Sequence, residues 1–139
     1  MVDIRRTTVE DADALRDIRL AALRTDPAVF GSTSAREAGF EPRVWRERAA
    51  GSADSATFVA VVDGTFVGLV TASATAAFPD RVELTSMWTA PDVRGRGIGS
   101  RLVEAVLGWA DARHTSRVSL WVMRGNSAAY DLYERCGFE

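Results

Sequence analysis

Apolar positions change their spacing from segment to segment along this 139-residue chain, and each change predicts an element. Met1–Thr7 reads as a short first strand. Thr8-x-x-Asp11 has the form of a capping box, after which Leu15, Ile18 and Ala22 share one face of a helix. Pro27 and Gly31 break that helix, and Pro42–Ala50 reads as another with proline near its start. In "ATFVAVVDGTFVGLV" two β-rich runs flank Asp63-Gly64, the pair favoured in a type I′ hairpin. "RVELTSMWTA" follows as a third strand. Simple alternation sets Glu83, Thr85, Met87 and Thr89 on one face and Leu84, Ser86 and Trp88 on the other. A long helix to about Arg113 then carries Ile98, Leu102, Ala105, Val106, Trp109 and Ala110 as one buried stripe. Arg117–Met123 is a further strand, parallel to the third because a helix crosses between them. The last helix turns Ala129, Leu132, Tyr133 and Cys136 one way, with Gly137 as its C′ residue and Phe138 as the following apolar contact. The fold class is α/β, with a mixed and mostly antiparallel sheet in one domain spanning 1–139.

Composition narrows the functions such a domain can serve. A hydrophobic share of 47% and a charged share of 26% make an ordinary globular balance. A net charge of -2 gives no general case for nucleic acid, which usually meets a basic face. All 17 basic residues are Arg, so no basic site here is a catalytic lysine. The single Cys136 excludes an internal disulfide and suits a reducing cytoplasm; with the single His114 it leaves no Cys/His metal cluster. No leader and no apolar run of membrane-spanning length is present, so neither secretion nor a membrane is expected.

The chemistry concentrates in "VRGRGIGSRLVEAV", where three glycines precede an apolar helix. Glycine is a poor helix former, about 1 kcal/mol worse than alanine. A helix N-terminus presents unpaired N–H groups and roughly half a positive charge, so a glycine-lined entry admits a phosphate, with Arg94 and Arg96 adding charge. A flexible loop with solvent-facing arginines is the plainer alternative. A Walker A loop is excluded because it requires lysine, and a dinucleotide fingerprint fails because Ser100 stands at its third glycine.

Arg94-x-x-Gly97-x-Gly99 resembles the (Gln/Arg)-x-x-Gly-x-(Gly/Ala) signature of the GNAT superfamily of acetyl-CoA-dependent N-acetyltransferases. "NSAAYDLYERCGF" is similar to the family's second block, and "RLAALRTDPAVFGST" with Trp45-Arg46 resembles the acceptor-side helices of small members. The resemblance covers essentially the whole chain. It implies a sheet with one splayed parallel strand pair and helices on both faces. It implies acetyl-CoA as cofactor, its pantetheine arm along Met87, Trp88 and Thr89, and its pyrophosphate on Arg94, Gly95, Arg96, Gly97, Ile98, Gly99 and Ser100. Asn126 falls near the coenzyme arm, as a ligand or as an N-cap.

The same resemblance implies direct acetyl transfer to an amine within a ternary complex, the oxyanion meeting a backbone donor of Met87–Thr89. Tyr133 falls on the family's usual acid, against a plain role as a core tyrosine. Glu83 is the candidate base, against a plain role as a charged residue at a strand start. Phe30, Ser32 and Trp45 are expected beside the acceptor, a small-molecule or peptide amine. Cys136 is expected to pack, and His114 to lie in a polar loop. A non-catalytic acyl-CoA sensor or interaction module on the same fold is the alternative. Relatives continue past the position of Glu139 into one or two further strands. The strand 117–123 is therefore expected to be covered by more chain or by a second subunit in a homodimer.

Overall fold

The computed structural model describes residues 2–27, 30–75, 78–115, 117–120 and 127–138. Five strands form one sheet in the order of the sequence: β1 (Asp3–Arg6), β2 (Ser55–Val62), β3 (Thr65–Thr75), β4 (Phe78–Thr89) and β5 (Arg117–Leu120). The first three junctions are antiparallel; β4 and β5 run parallel from Arg81↔Arg117 to Leu84↔Leu120. Asp63 and Gly64 join β2 to β3 with φ of 49° and 78°, the left-handed pair that a type I′ turn requires. The predicted extension of the last strand to Met123 lies outside the described residues.

Helices cover both faces. α1 (Ala12–Thr25), α2 (Ser34–Ala38) and α3 (Pro42–Ala50) occupy one side, and α4 (Ile98–Ala112) the other, with α5 (Ser127–Arg135) packed beside it. Leu15, Ile18 and Ala22 of α1 meet Val59, Leu69 and Trp88 of the sheet. Of the predicted α4 stripe, Ile98, Leu102, Val106 and Ala110 are buried against Ala60, Val70, Ala72, Val82 and Leu84, whereas Ala105 and Trp109 are half-buried and Val103, outside that stripe, is fully buried. Each such aliphatic burial contributes about 1.5–3 kcal/mol, so these two seams hold the sheet in place. At the 3-10 turn Val9–Asp11 that leads into α1, Asp11 Oδ2 accepts the Thr8 N–H at 2.7 Å, as the capping box predicts. At the end of α5, Gly137 has φ 94° and the Phe138 N–H donates to the Tyr133 carbonyl at 3.0 Å, a Schellman closure. No helix among the described residues is long and apolar enough to cross a membrane.

Two local features depart from the pattern read along the chain. The five-residue α2 is too short to show helical periodicity; it is capped by Thr33, whose side chain accepts the Arg36 N–H at 3.1 Å. The second is a bulge in β4. Thr71 pairs with Thr85 and Leu69 with Trp88, so three steps on β4 oppose two on β3, and Ser86 takes φ 58°. One extra residue reverses the alternation beyond it. Met87 and Thr89 therefore leave the face of Glu83 and Thr85 for the α4 side. Ser86 and Trp88 turn to the α1 side, away from Leu84.

Candidate active site

The glycine-rich entry to α4 has the geometry its composition suggests at two of three positions. Gly95 and Gly97 have φ of 83° and 79°, a region costly to residues with a Cβ. A Cβ built on either meets nothing within 4 Å, so open space lies in front of the helix N-terminus. Gly97 is the N-cap, and no acidic residue stands in the first turn to neutralise the dipole. Gly99 has another local role: a Cβ there would lie 3.1 Å from Leu132 Cδ2 and 3.3 Å from Met87 Cε. Its absence lets α5 and β4 close on the first turn of α4. Ile98 is buried beneath this turn and Arg96 is exposed above it.

Arg94 is anchored to the protein itself. Its Nε donates to the Thr89 carbonyl and its Nη2 to Asp26 Oδ2, both at 2.9 Å. The same Asp26 oxygen accepts Trp88 Nε1–H at 2.7 Å. This indole bond and the Arg94 guanidinium hold the Asp26 carboxyl below its ordinary value against the opposing effect of burial. Asp26 caps the end of α1, so one carboxylate joins that helix, the end of β4 and the glycine loop. The sequence pattern carries no sign of this junction, because its members are far apart in the chain.

On the α1 side, residues facing one another across the sheet form a polar floor. Thr57, Thr71 and Thr85 stand in one row, and Ser55, Ser73, Glu83 and Ser119 in the next. The Thr57 and Thr71 hydroxyls are 3.0 Å apart. Over this floor lies a cavity of about 230 Å³, walled by Arg19, Trp45 and Arg48. Behind the wall Glu37 is 1% exposed; it accepts Arg19 Nε and Nη2 at 3.1 Å and Arg48 Nη1 at 2.8 Å. Burial pushes the Glu37 carboxyl up, but hydrogen bonds from Arg19, Arg48 and Ser32 outweigh it and hold it at about 2. The remaining Arg19 nitrogen, Nη1, donates to Ser86 Oγ at 3.0 Å and so braces the bulge. A non-glycine residue at positive φ is costly and persists where its surroundings hold it.

The structure brings Trp45 to the cavity. Phe30 lies under the Arg19 guanidinium, 4.8 Å from carbon to ring centroid, and Ser32 accepts from Arg36 Nη1 at 3.2 Å. Both stand behind the cavity wall. Glu83 is on the sheet face that floors the cavity, three residues before the bulge. Tyr133 lies on the opposite side, in the α4 core with Ile98, and its ring meets Phe138 edge-on at 5.7 Å. Burial pushes its hydroxyl up to about 12, with a smaller contribution from Cys136. Cys136 packs partly buried against the same core, and His114 is exposed in its loop. Asn126 lies outside the described residues. Among the described residues β4 pairs with β5 from Arg81 to Leu84, and farther along β4 the Met87 side chain lies against Gly99 in the first turn of α4.

The acetyltransferase (GNAT) family model matches residues 15–138. An uncharacterized N-acetyltransferase of Methanocaldococcus jannaschii is 40% identical over 57 residues, 41% of this chain and 25% of that protein. The streptothricin acetyltransferase of Streptomyces lavendulae is 37% identical over 87 residues, 62% of this chain and 46% of that protein. The chain thus spans less than half the length of these curated relatives. Among solved structures, the aminoglycoside N-acetyltransferase AAC(6')-Iy in complex with CoA superposes with a TM-score of 0.77 at 21% identity, covering 100% of this chain and 88% of that one. At that identity the likeness speaks for the fold. With a model match running through the glycine entry, the bulged strand and the last helix, this chain belongs to the acetyltransferase (GNAT) family.

Proposed function

We propose that the protein transfers an acetyl group from acetyl-CoA to a primary amine, by direct attack with both substrates bound. The observation that carries this reading is the juxtaposition of two features: an α4 N-terminus opened by Gly95 and Gly97, and a bulged β4 whose edge borders it. Acetyl-CoA supplies the acetyl group as an activated thioester. The N–H groups of Ile98, Gly99 and Ser100, with Arg96, receive the pyrophosphate, while Arg94 fixes the loop through Asp26 and Thr89. Met87, Trp88 and Thr89 offer backbone groups to the pantetheine arm, the Thr89 carbonyl being already engaged by Arg94.

The reaction forms one N–C bond and breaks one C–S bond, so a proton leaves the amine and another is needed at sulfur. In this reading Glu83, on the cavity face, takes the first and Tyr133, on the α4 side, serves the second, so the two groups act from opposite faces. Backbone N–H groups at the bulge, freed from regular pairing around Ser86, support the oxyanion.

Free thiol released from acetyl-CoA in the presence of an amine panel tests the activity. Gly97→Val tests the site: its side chain would enter the open space before α4 and would sit at φ 79°. The expected cost is about 1–2 kcal/mol of stability, leaving a folded domain, with loss of calorimetric binding to acetyl-CoA. Unchanged affinity in a folded Gly97→Val variant removes the phosphate-loop reading.

A further inference from the structure

We propose that the acceptor is a small amine that also carries a carboxylate, of amino-acid size, held by its anionic end at Arg48 and Arg19. The proposal rests on the N-acetyltransferase reading of this site and names its substrate class. The charge of the cavity is the first argument. Two guanidiniums line it, and among the described lining residues there is no carboxylate. Glu37 stands behind them and balances only one of the two charges. The wall therefore presents net positive charge at this end, while Glu83 stands on the floor beyond the lining residues.

The donors give the second argument. Arg48 uses only Nη1 internally, at Glu37, and its Nε and Nη2 form no hydrogen bond among the described residues. Its guanidinium is nevertheless held in place, 5.2 Å from the Phe40 ring centroid and 4.9 Å from that of Trp45. A planar cation oriented in this way suits a carboxylate, which it can grip with two parallel N–H groups. Trp45 completes the wall: it is buried, lines the same cavity, and its ring backs the Arg48 guanidinium.

Size is the third argument. A cavity of about 230 Å³ falls below the roughly 300–1,000 Å³ of drug-sized ligand pockets. A multi-ring polyamine exceeds this volume and would bring its positive charge against the two guanidiniums. An amino acid fits both limits: its carboxylate meets the arginines, and its amine lies over the Thr71–Thr85 floor toward the bulge and Glu83.

The test compares each common α-amino acid with its own carboxamide, with kanamycin added as a polycationic amine. Thiol release from acetyl-CoA is followed, and binding to the unaltered protein is titrated by calorimetry. For the best acceptor, the acid is expected to exceed its carboxamide by about 10–100-fold in kcat/KM, the worth of a charge-assisted hydrogen bond. Arg48→Gln is expected to bring that ratio close to one through KM, its melting curve and acetyl-CoA titration reporting the fold. Carboxamides or kanamycin turned over better than the acids would overturn this proposal and leave the acetyltransferase reading standing. If acetyl-CoA binds and no amine releases thiol, both readings fall together. The matched pairs on the unaltered protein decide the question even where Arg48→Gln does not fold.

Discussion

Tyr133 keeps its proton at any neutral pH, and that same strength limits what it can do with it. Burial pushes its hydroxyl up to about 12, whereas a thiol titrates near 8.5, so complete transfer to a leaving thiolate is uphill by about 5 kcal/mol. In the mechanism proposed above, its contribution is then a hydrogen bond to developing negative charge on sulfur, worth about 1.5–3 kcal/mol. Tyr133→Phe is therefore expected to lower turnover by about 10–100-fold, below the upper range of a full general acid, while acetyl-CoA affinity stays close to that of the unaltered protein. Because nothing titrates at this position below about pH 10, the loss should be flat with pH; a loss that grows steeply with pH would assign the proton to another group. Glu83→Gln should behave differently. Without a carboxylate to take the amine proton, rate follows the free-base fraction of the acceptor, so the deficit is largest in acid and shrinks as pH rises. A pH-rate profile of both variants separates the two roles.

At the scale of elements, the junction at Asp26 couples α1 to the glycine loop. Its backbone N–H closes α1 on the Ala22 carbonyl while its carboxylate accepts from Trp88 and Arg94, and Arg94 in turn holds the Thr89 carbonyl. Asp26→Asn keeps an acceptor for the indole but loses the charge that orients Arg94. Arg94 is half exposed, so the coupling is worth only about 1 kcal/mol, and the KM for acetyl-CoA should rise about threefold to tenfold. The acceptor KM should change less; equal changes in both would mark a general loosening instead of a positioning role. Neither this junction nor the bulge was legible along the chain. The hairpin at Asp63-Gly64, the α4 stripe and the Gly137 closure were, because each is written in neighbouring residues. Ser86, by contrast, takes φ 58° with no glycine or asparagine to signal it, and its brace comes from Arg19, 67 positions away. Simple alternation consequently put Met87 on the wrong face. Gly99 is the subtler case: its place in a motif suggests ligand approach, while its immediate neighbours are Leu132 and Met87.

For the whole molecule, Glu37 is the group on which acid stability turns. It sits on α2, pairs with Arg19 of α1 and Arg48 of α3, and reaches β4 through the Arg19–Ser86 bond, so one carboxylate ties four elements together. A free glutamate titrates near 4.5, and this one is held at about 2. A depressed folded value means that the carboxylate stabilises the fold fully above the unfolded value and loses that contribution as pH falls through the folded one. The difference amounts to about 3 kcal/mol, a sizeable part of the 5–15 kcal/mol that small domains possess. Asp11, also held at about 2 by the Arg5 guanidinium, loses its contribution over the same window. Glu37→Gln replaces the carboxylate by a group of the same shape that does not titrate and leaves Arg19 without its counter-charge. Near pH 7 it should be less stable by about 3 kcal/mol, the usual result of breaking a buried pair. Between about pH 5 and pH 2 the unaltered protein approaches the variant as its own Glu37 is protonated, so the gap should close. Urea unfolding at a series of pH values measures this directly. A gap that stays constant down to about pH 2 would mean that Glu37 acts through shape and hydrogen bonding alone, with its charge contributing nothing to the fold.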